Sequence, residues 1–535
     1  MKKNLIKTII ITILLSGAII SCNKDLNRKP TNDVTGDKAL KDFTGYQALA
    51  AKVYASNALS GNSGNGSSDM QGFDGGSSDF IRELWNCQVL STDEAINAWG
   101  DLTTGTTQMH TFQWTAQTGA PSILYARCFY IIAVCNEFIR QTSDATMASH
   151  GVTGANATEM KYYQAEARFI RAYQYWVLMD EFGSPTFINE NDPIGTFNPP
   201  QKTSAQIFTY VESELKAIDG LLKPARTNDY GRVDQSADWA LLARMYLNAQ
   251  TYTGTARYTD AVTYATKVIN AGYTLHTNYQ NLFLADNNLN NPEVIWSINY
   301  DGTSSQLYGG TTFLINGSLN GALADVNKYG VTGGWGGNRS TSKLPLLFSD
   351  YTGATDKRAM FTATGASTKL ANDNLGTFTD GLPVLKFKNI TSTGATGSAT
   401  SSDGTMCSTD FPVFRLAEQY LIYAEAVLRG GTGGSTAQAL TYFNALRDRA
   451  YGNRTGEVAS IALQDILDER GRELYWECLR RTDLIRYGQF TGSTYLWPWK
   501  GNVPSGASVD AHYNLFPLPA TLLVSDPNVK QNPGY

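Results

Sequence analysis

The sequence predicts a mostly α-helical protein in which helical hairpins form a scaffold carrying a large irregular loop layer and few short strands. Three observations lead there. Two distant stretches share one hairpin pattern, several long segments repeat apolar residues at three- and four-residue spacing, and the intervening segments are rich in Gly, Ser, Thr and Asn yet carry aromatics. A chain of 535 residues would suggest roughly three or four domains at about 150 each, but repeat architectures escape that rule, and residues 42–535 are expected to form a single domain.

At the N-terminus, Lys2 and Lys3 precede an apolar run from Ile9 to Ile20 and then small Ser21, the layout of a signal peptide over residues 1–21. The run is shorter than the roughly 20 apolar residues a membrane-spanning helix needs. Ile19-Ile20-Ser21-Cys22 resembles the lipobox of bacterial lipoproteins, which implies a lipidated Cys22 followed by a polar tether over residues 22–41.

Helices are predicted over Ser122 to Arg140 and over Tyr162 to Phe182, the second stopping at Gly183 before Pro185, and a third runs from Ala205 to Leu222. The hairpin pattern occupies Trp239 to Tyr273 and recurs from Glu418 to Ala450. Aligning Ala243 with Ala424 sets Leu247 against Leu428, and a shorter turn brings Ala261 and Tyr264 opposite Ala439 and Tyr442. Small residues mark where two helices touch, so these stretches look like tetratricopeptide-like hairpins, although the full consensus is not met. Ser56 to Asp79, Asp301 to Lys343 and Thr391 to Asp410 are the loop segments, edged by a strand from Val294 to Tyr300. Disordered linkers lack aromatics, whereas the second segment holds Tyr308, Phe313, Tyr329 and Trp335, which points to an ordered binding layer.

Composition excludes several functions. A net charge of −5 without a basic stripe argues against nucleic acid, and a surface only 17% charged suits a neutral, hydroxyl-rich ligand. The cysteines beyond Cys22 (87, 128, 135, 407 and 478) contain no C-x-x-C pair and are expected as buried free thiols. The four histidines are scattered, so no zinc site or cofactor is expected; Asp and Asn are common in the loops but form no calcium-loop pattern, which leaves a structural calcium open. Trp335 sits inside GGWGG, Gly333 to Gly337, either as a plug in the core or as an exposed platform. The platform is the expected state, with the glycines clearing space beside the ring for an extended chain.

DERGRELYWECLRRTDLIRYGQF (Asp468 to Phe490), TYLWPWKG (Thr494 to Gly501), LWNCQVLSTDEAINAWGD (Leu84 to Asp101), RFIRAYQYWVLMDEFGSP (Arg168 to Pro185) and RLAEQYLIYAEA (Arg415 to Ala426) resemble the SusD family, also called RagB/SusD. One departure is Cys478-Leu479, where relatives tend to have Gly-His. The resemblance implies a glycan-binding lipoprotein on the outer-membrane surface that delivers its ligand to a SusC-like TonB-dependent transporter. It also implies a shallow arc of aromatics, in which Trp99 and Trp335 are best placed, Tyr300 and Tyr308 are secondary, and Arg82, Asp101 and Asn338 supply polar contacts. Trp85, Trp114, Trp176, Trp239, Trp296 and Trp476 fall in periodic segments and are expected in the core; Trp497 and Trp499 are assigned to packing.

Two other functions compete. A glycoside hydrolase needs two carboxyls about 5 to 10 Å apart. Glu469, Glu473 and Glu477, four apart on an expected C-terminal helix among Arg470, Arg472, Arg480, Arg481 and Arg486, read instead as a structural ion-pair network. The third possibility is a partner that seals a transporter without touching sugar.

Overall fold

The computed structural model describes residues 39–535 except 65, 196, 320–324, 363–367 and 398–403. The expected signal peptide, Cys22 and most of the tether lie outside the described residues.

The principal elements are α1 (Phe43–Ala58), α2 (Phe80–Trp85), β1 (Ala95–Asn97), α3 (Gly119–Gln141), α4 (Gly154–Phe182), α5 (Ser204–Ile218), α6 (Gln235–Leu247), α7 (Tyr258–Ile269), β2 (Val294–Ile298), α8 (Gly310–Ser318), β3 (Asn338–Ser340), β4 (Phe411–Arg415), α9 (Leu416–Leu428), α10 (Thr436–Tyr451), α11 (Leu463–Leu474) and α12 (Arg480–Arg486). The protein is mostly helical, with tetratricopeptide-like hairpins, and its only named strands among the described residues form two antiparallel pairs, β1 with β3 and β2 with β4.

Local chemistry sets many of the boundaries. α4 ends at Gly183, whose φ of 69° only glycine adopts at no steric cost. A capping box between Thr203 and Gln206 starts α5, and Asp234 accepts from the N–H groups of Ser236 and Ala237 to start α6. α3 packs on α4 and α4 on α5, while α6 with α7 and α9 with α10 form the two hairpins. Ala243, Ala261, Ala424 and Ala439 are all fully buried, which lets the helices approach closely. α7 packs directly on α9, so residues 270–415 leave the scaffold between two stacked hairpins and return to it. α3 is long and apolar enough to cross a bilayer by length and composition, but it packs against α1 and α4.

Two expectations need correction. The predicted C-terminal helix from Asp468 breaks: α11 stops at Leu474, Trp476 and Cys478 have φ of 64° and 61°, and α12 begins at Arg480. Cys478 and Glu477 therefore lie in a connector, because two left-handed residues cannot continue a right-handed helix. The segment 301–343 is not wholly irregular either, since it contains the fully buried helix α8. Its first N–H, on Gly310, is capped by Asp79 from 231 residues away, a partner that local propensity cannot reveal. The five cysteines beyond Cys22 are free and buried.

Candidate functional site: an aromatic platform

The pairing of β1 with β3 builds the site. Asn97 lies opposite Asn338 and donates to its side-chain oxygen at 2.6 Å, and Ala98 N–H continues the ladder to Gly337 O at 2.9 Å. Trp99, two residues beyond β1, and Trp335, three before β3, are thereby brought to the same end of the ribbon. Both rings are half-buried.

The glycines around Trp335 act differently from the expectation. A Cβ on Gly337 would fall 2.2 Å from Trp99 Nε1, and one on Gly334 would fall 2.2 Å from Leu319 O. Their missing side chains admit the protein's own ring and backbone, whereas Gly333 faces open space. The loop is also hung on the end of α8: Trp335 N–H and Gly336 N–H donate to Asn316 O at 2.7 and 3.1 Å. Trp335 is thus a ring on a fixed backbone, which limits the entropy lost when something stacks on it.

Tyr308 meets Trp335 with ring centroids 6.1 Å apart. Trp99 stands edge-on to Phe313 of α8 at 5.9 Å. Arg82 joins the two halves, its guanidinium carbon 4.8 Å from the Phe313 centroid and 6.0 Å from that of Trp99, with Nη1 donating to Gly76 O. Burial works against the Asp101 carboxylate, but the Thr104 hydroxyl, the Thr103 N–H and the nearby Arg82 charge outweigh it and hold the group below the usual carboxylate range.

Beneath this surface Asp79 caps both α2 and α8, accepting from Arg82 N–H at 2.9 Å and Gly310 N–H at 2.7 Å. One carboxylate therefore fixes Arg82 relative to Phe313. Burial nevertheless pushes Asp79 up to about 6 and its neighbour Glu83 up to about 8. The sequence named Phe313 only as one aromatic of the loop layer, and no pattern announced Asp79 or Gly76 as parts of the site.

Two expected contact residues are not on the surface. Tyr300 is 4% exposed, its ring wedged against the backbone of Gly310, and Asn338 is fully buried, its side chain holding strand register. Neither can touch a ligand in this conformation. Trp85, Trp114, Trp176, Trp296, Trp476 and Trp497 are at most 3% exposed. Trp239 and Trp499 are only half-buried, with indole N–H groups donating to Asp219 and to Asn372 O.

The glutamates that superficially suggest a hydrolase are locked away. Glu473 pairs with Arg358 (2.9 Å), Arg415 and Arg449; Glu477 with Arg415 and Lys386 (2.7 Å each); Glu469 with Arg358, Arg447 and Arg472. All three side chains are at most 4% exposed, as an internal ion-pair network requires.

Two family profiles match the chain: one described as "SusD family" over residues 364–535, and one described as "Starch-binding associating with outer membrane" over residues 82–247. The starch-binding protein SusD of Bacteroides thetaiotaomicron is 34% identical, over 100% of this chain and 99% of its own length. A SusD-like protein of Bacteroides ovatus is 28% identical over 72% of this chain and 68% of its own. Among solved structures, surface glycan-binding protein A of Bacteroides thetaiotaomicron in complex with laminarihexaose superposes with a TM-score of 0.68 at 19% identity, covering 91% of this chain and 99% of that one. A laminarin-binding SusD-like protein gives 0.68 at 20%, covering 92% and 100%. With a relative above 30% identity along its whole length and the same helical scaffold in these structures, the chain belongs to the SusD family.

Proposed function

We propose that the protein binds a neutral glycan at the cell surface by stacking sugar rings on Trp99, Tyr308 and Trp335, and that it passes the glycan to a SusC-like TonB-dependent transporter in the outer membrane, to which a lipid on Cys22 anchors it. The observations that support the binding are the contact of Tyr308 with Trp335 and the strand pairing that brings half-buried Trp99 to the same end of the ribbon as Trp335, with Arg82 against the Trp99 ring and Asp101 near Arg82. Sugars offer apolar C–H faces to rings and hydroxyl edges to such polar groups. The names of the relatives, which concern starch, laminarin and outer-membrane association, support the ligand class and the location.

Binding without hydrolysis is the favoured reading, because the carboxylates of α11 and its connector are consumed by internal cations. Native electrophoresis through gels containing soluble starch, laminarin, xylan or levan tests the binding, with retardation in at least one gel expected. Chromatography of the retained glycan after overnight incubation with the protein tests hydrolysis; unchanged chain length is expected, and shortened chains would replace this reading with that of a hydrolase.

A further inference from the structure

Next to the segments that carry Arg82's partner Gly76 and Asp101 lies a cleft of about 920 Å³, walled by Phe73, Ile123, Tyr125, Phe129, Ile188 and Leu522. This is the volume of a small-molecule site. Its edges are shared with the platform. Gly72, Phe73, Asp74 and Ser77 border the cleft, and Gly76 of the same turn accepts from Arg82 and approaches Tyr308. Thr103 borders the cleft and donates its N–H to Asp101.

The cleft's polar groups are mostly turned away from it. Ser122 donates to Thr118 O, Ser525 to Leu522 O, and Tyr125 hydroxyl bonds Thr186 through both its side chain and its N–H. Asp74, the one charged residue in the lining, already accepts from Gly76 and Ser77 N–H. A hydroxyl-rich sugar entering here would meet mostly carbon, with Asp74 Oδ2 and the exposed Gln117 and Thr521 side chains as its few polar partners, too few to replace the water it would lose, which disfavours it. The apolar character extends outward, since Leu102, next to Thr103, and Val524, between Leu522 and Ser525, are each 87% exposed.

We propose that this cleft takes a neutral apolar substituent, an aromatic or acyl ester carried by the glycan held on the platform. The connection to a bound glycan rests on the function proposed above; the cleft's affinity for the apolar group does not. The test uses methyl ferulate, a neutral aromatic ester, with the full-length mature protein and saturation-transfer NMR. Wild type and the Trp99→Ala/Trp335→Ala variant are expected to give equal transfer. Ala126→Trp, which fills the cleft from α3, is expected to lose it, and Phe129→Ala, which removes a wall, to reduce it at least threefold. No transfer to wild type, or transfer unaffected by both cleft variants, overturns the proposal whatever the platform binds. A second arm compares gels of esterified and saponified xylan: wild type is expected to be held longer by the esterified form, and Ala126→Trp equally by both. Equal retention of wild type in the two gels contradicts the linked substituent; absence of retention in both counts against the platform reading, leaving the cleft to be decided by methyl ferulate.

Discussion

Glu473 in the scaffold and Glu83 beneath the platform are both fully buried, yet they end in opposite protonation states. Burial works against Glu473, but the positive charges of Arg449, Arg415 and Arg358 outweigh it and hold its carboxyl far below the usual range, and the same balance sets neighbouring Glu469 at about 2. Glu83 has one cation in reach, Arg82 at 3.9 Å, and burial dominates, pushing it up to about 8. The scaffold therefore stores its charges in saturated pairs, whereas beneath the platform Glu83 is mostly neutral at pH 7 and Asp79, raised to about 6, stays mostly ionised with its proton only a unit away. Arg82, whose only ion-pair contact among the described residues is Glu83, is left with its charge directed at the aromatic face and Asp101. A charged residue that closes the fold and one proposed to serve a ligand thus differ here in the number of opposite charges around them.

The comparison breaks most visibly if the scaffold network proves dispensable. Glu473→Ala leaves Arg358, Arg415 and Arg449 short of a partner and is expected to cost about 3 to 5 kcal/mol in urea unfolding, with glycan retention by the folded fraction unchanged. At the platform the effects exchange places: Trp99→Ala or Trp335→Ala is expected to lose about 1 to 3 kcal/mol of glycan affinity by calorimetry, while Trp335→Ala barely moves the unfolding midpoint.

The pH dependence sharpens the contrast. Asp79 and Glu83 have folded pKa values raised above their unfolded ones, so the stability they contribute is complete below about pH 4 and is lost as pH rises through about 6 and 8. Glu469 is depressed, so its contribution is present above its unfolded value and is lost as pH falls toward about 2. Glu83→Gln is expected to stabilise the protein by about 1 to 3 kcal/mol at pH 9, not at pH 5, and to leave the acid limb untouched. Equal gains at both pH values would contradict a neutral Glu83. The smallest change is Tyr300→Phe, which removes a buried hydroxyl lacking a hydrogen-bond partner; unfolding should shift by less than about 0.5 kcal/mol and binding not at all.

The scaffold was readable from the chain because its signals are local. Apolar spacing marks α3 to α7, Gly183 with Pro185 stops α4, and the repeated alanines locate hairpin contacts that the structure buries. The ion-pair network was visible as glutamates among arginines, although the break at Trp476 and Cys478 was not, since neither residue type favours positive φ. The site was only partly legible. The resemblance pointed to Trp99 and Trp335, but what joins them is a three-residue pairing whose partners, Asn97 and Asn338, lie 241 residues apart. Tyr300 and Asn338 looked suitable by type and position, and burial excludes them because α8, capped from Asp79, closes over that region. The glycines of GGWGG were correctly read as spacers with the wrong neighbour: at 334 and 337 they admit the protein's own backbone and the Trp99 ring.

The most direct test is native electrophoresis of wild type, Tyr300→Phe and Trp99→Ala/Trp335→Ala through whichever neutral polysaccharide retards the wild type. The account predicts that Tyr300→Phe is held like wild type and that the double variant runs as it does in a glycan-free gel. Undiminished retardation of a folded double variant would contradict it.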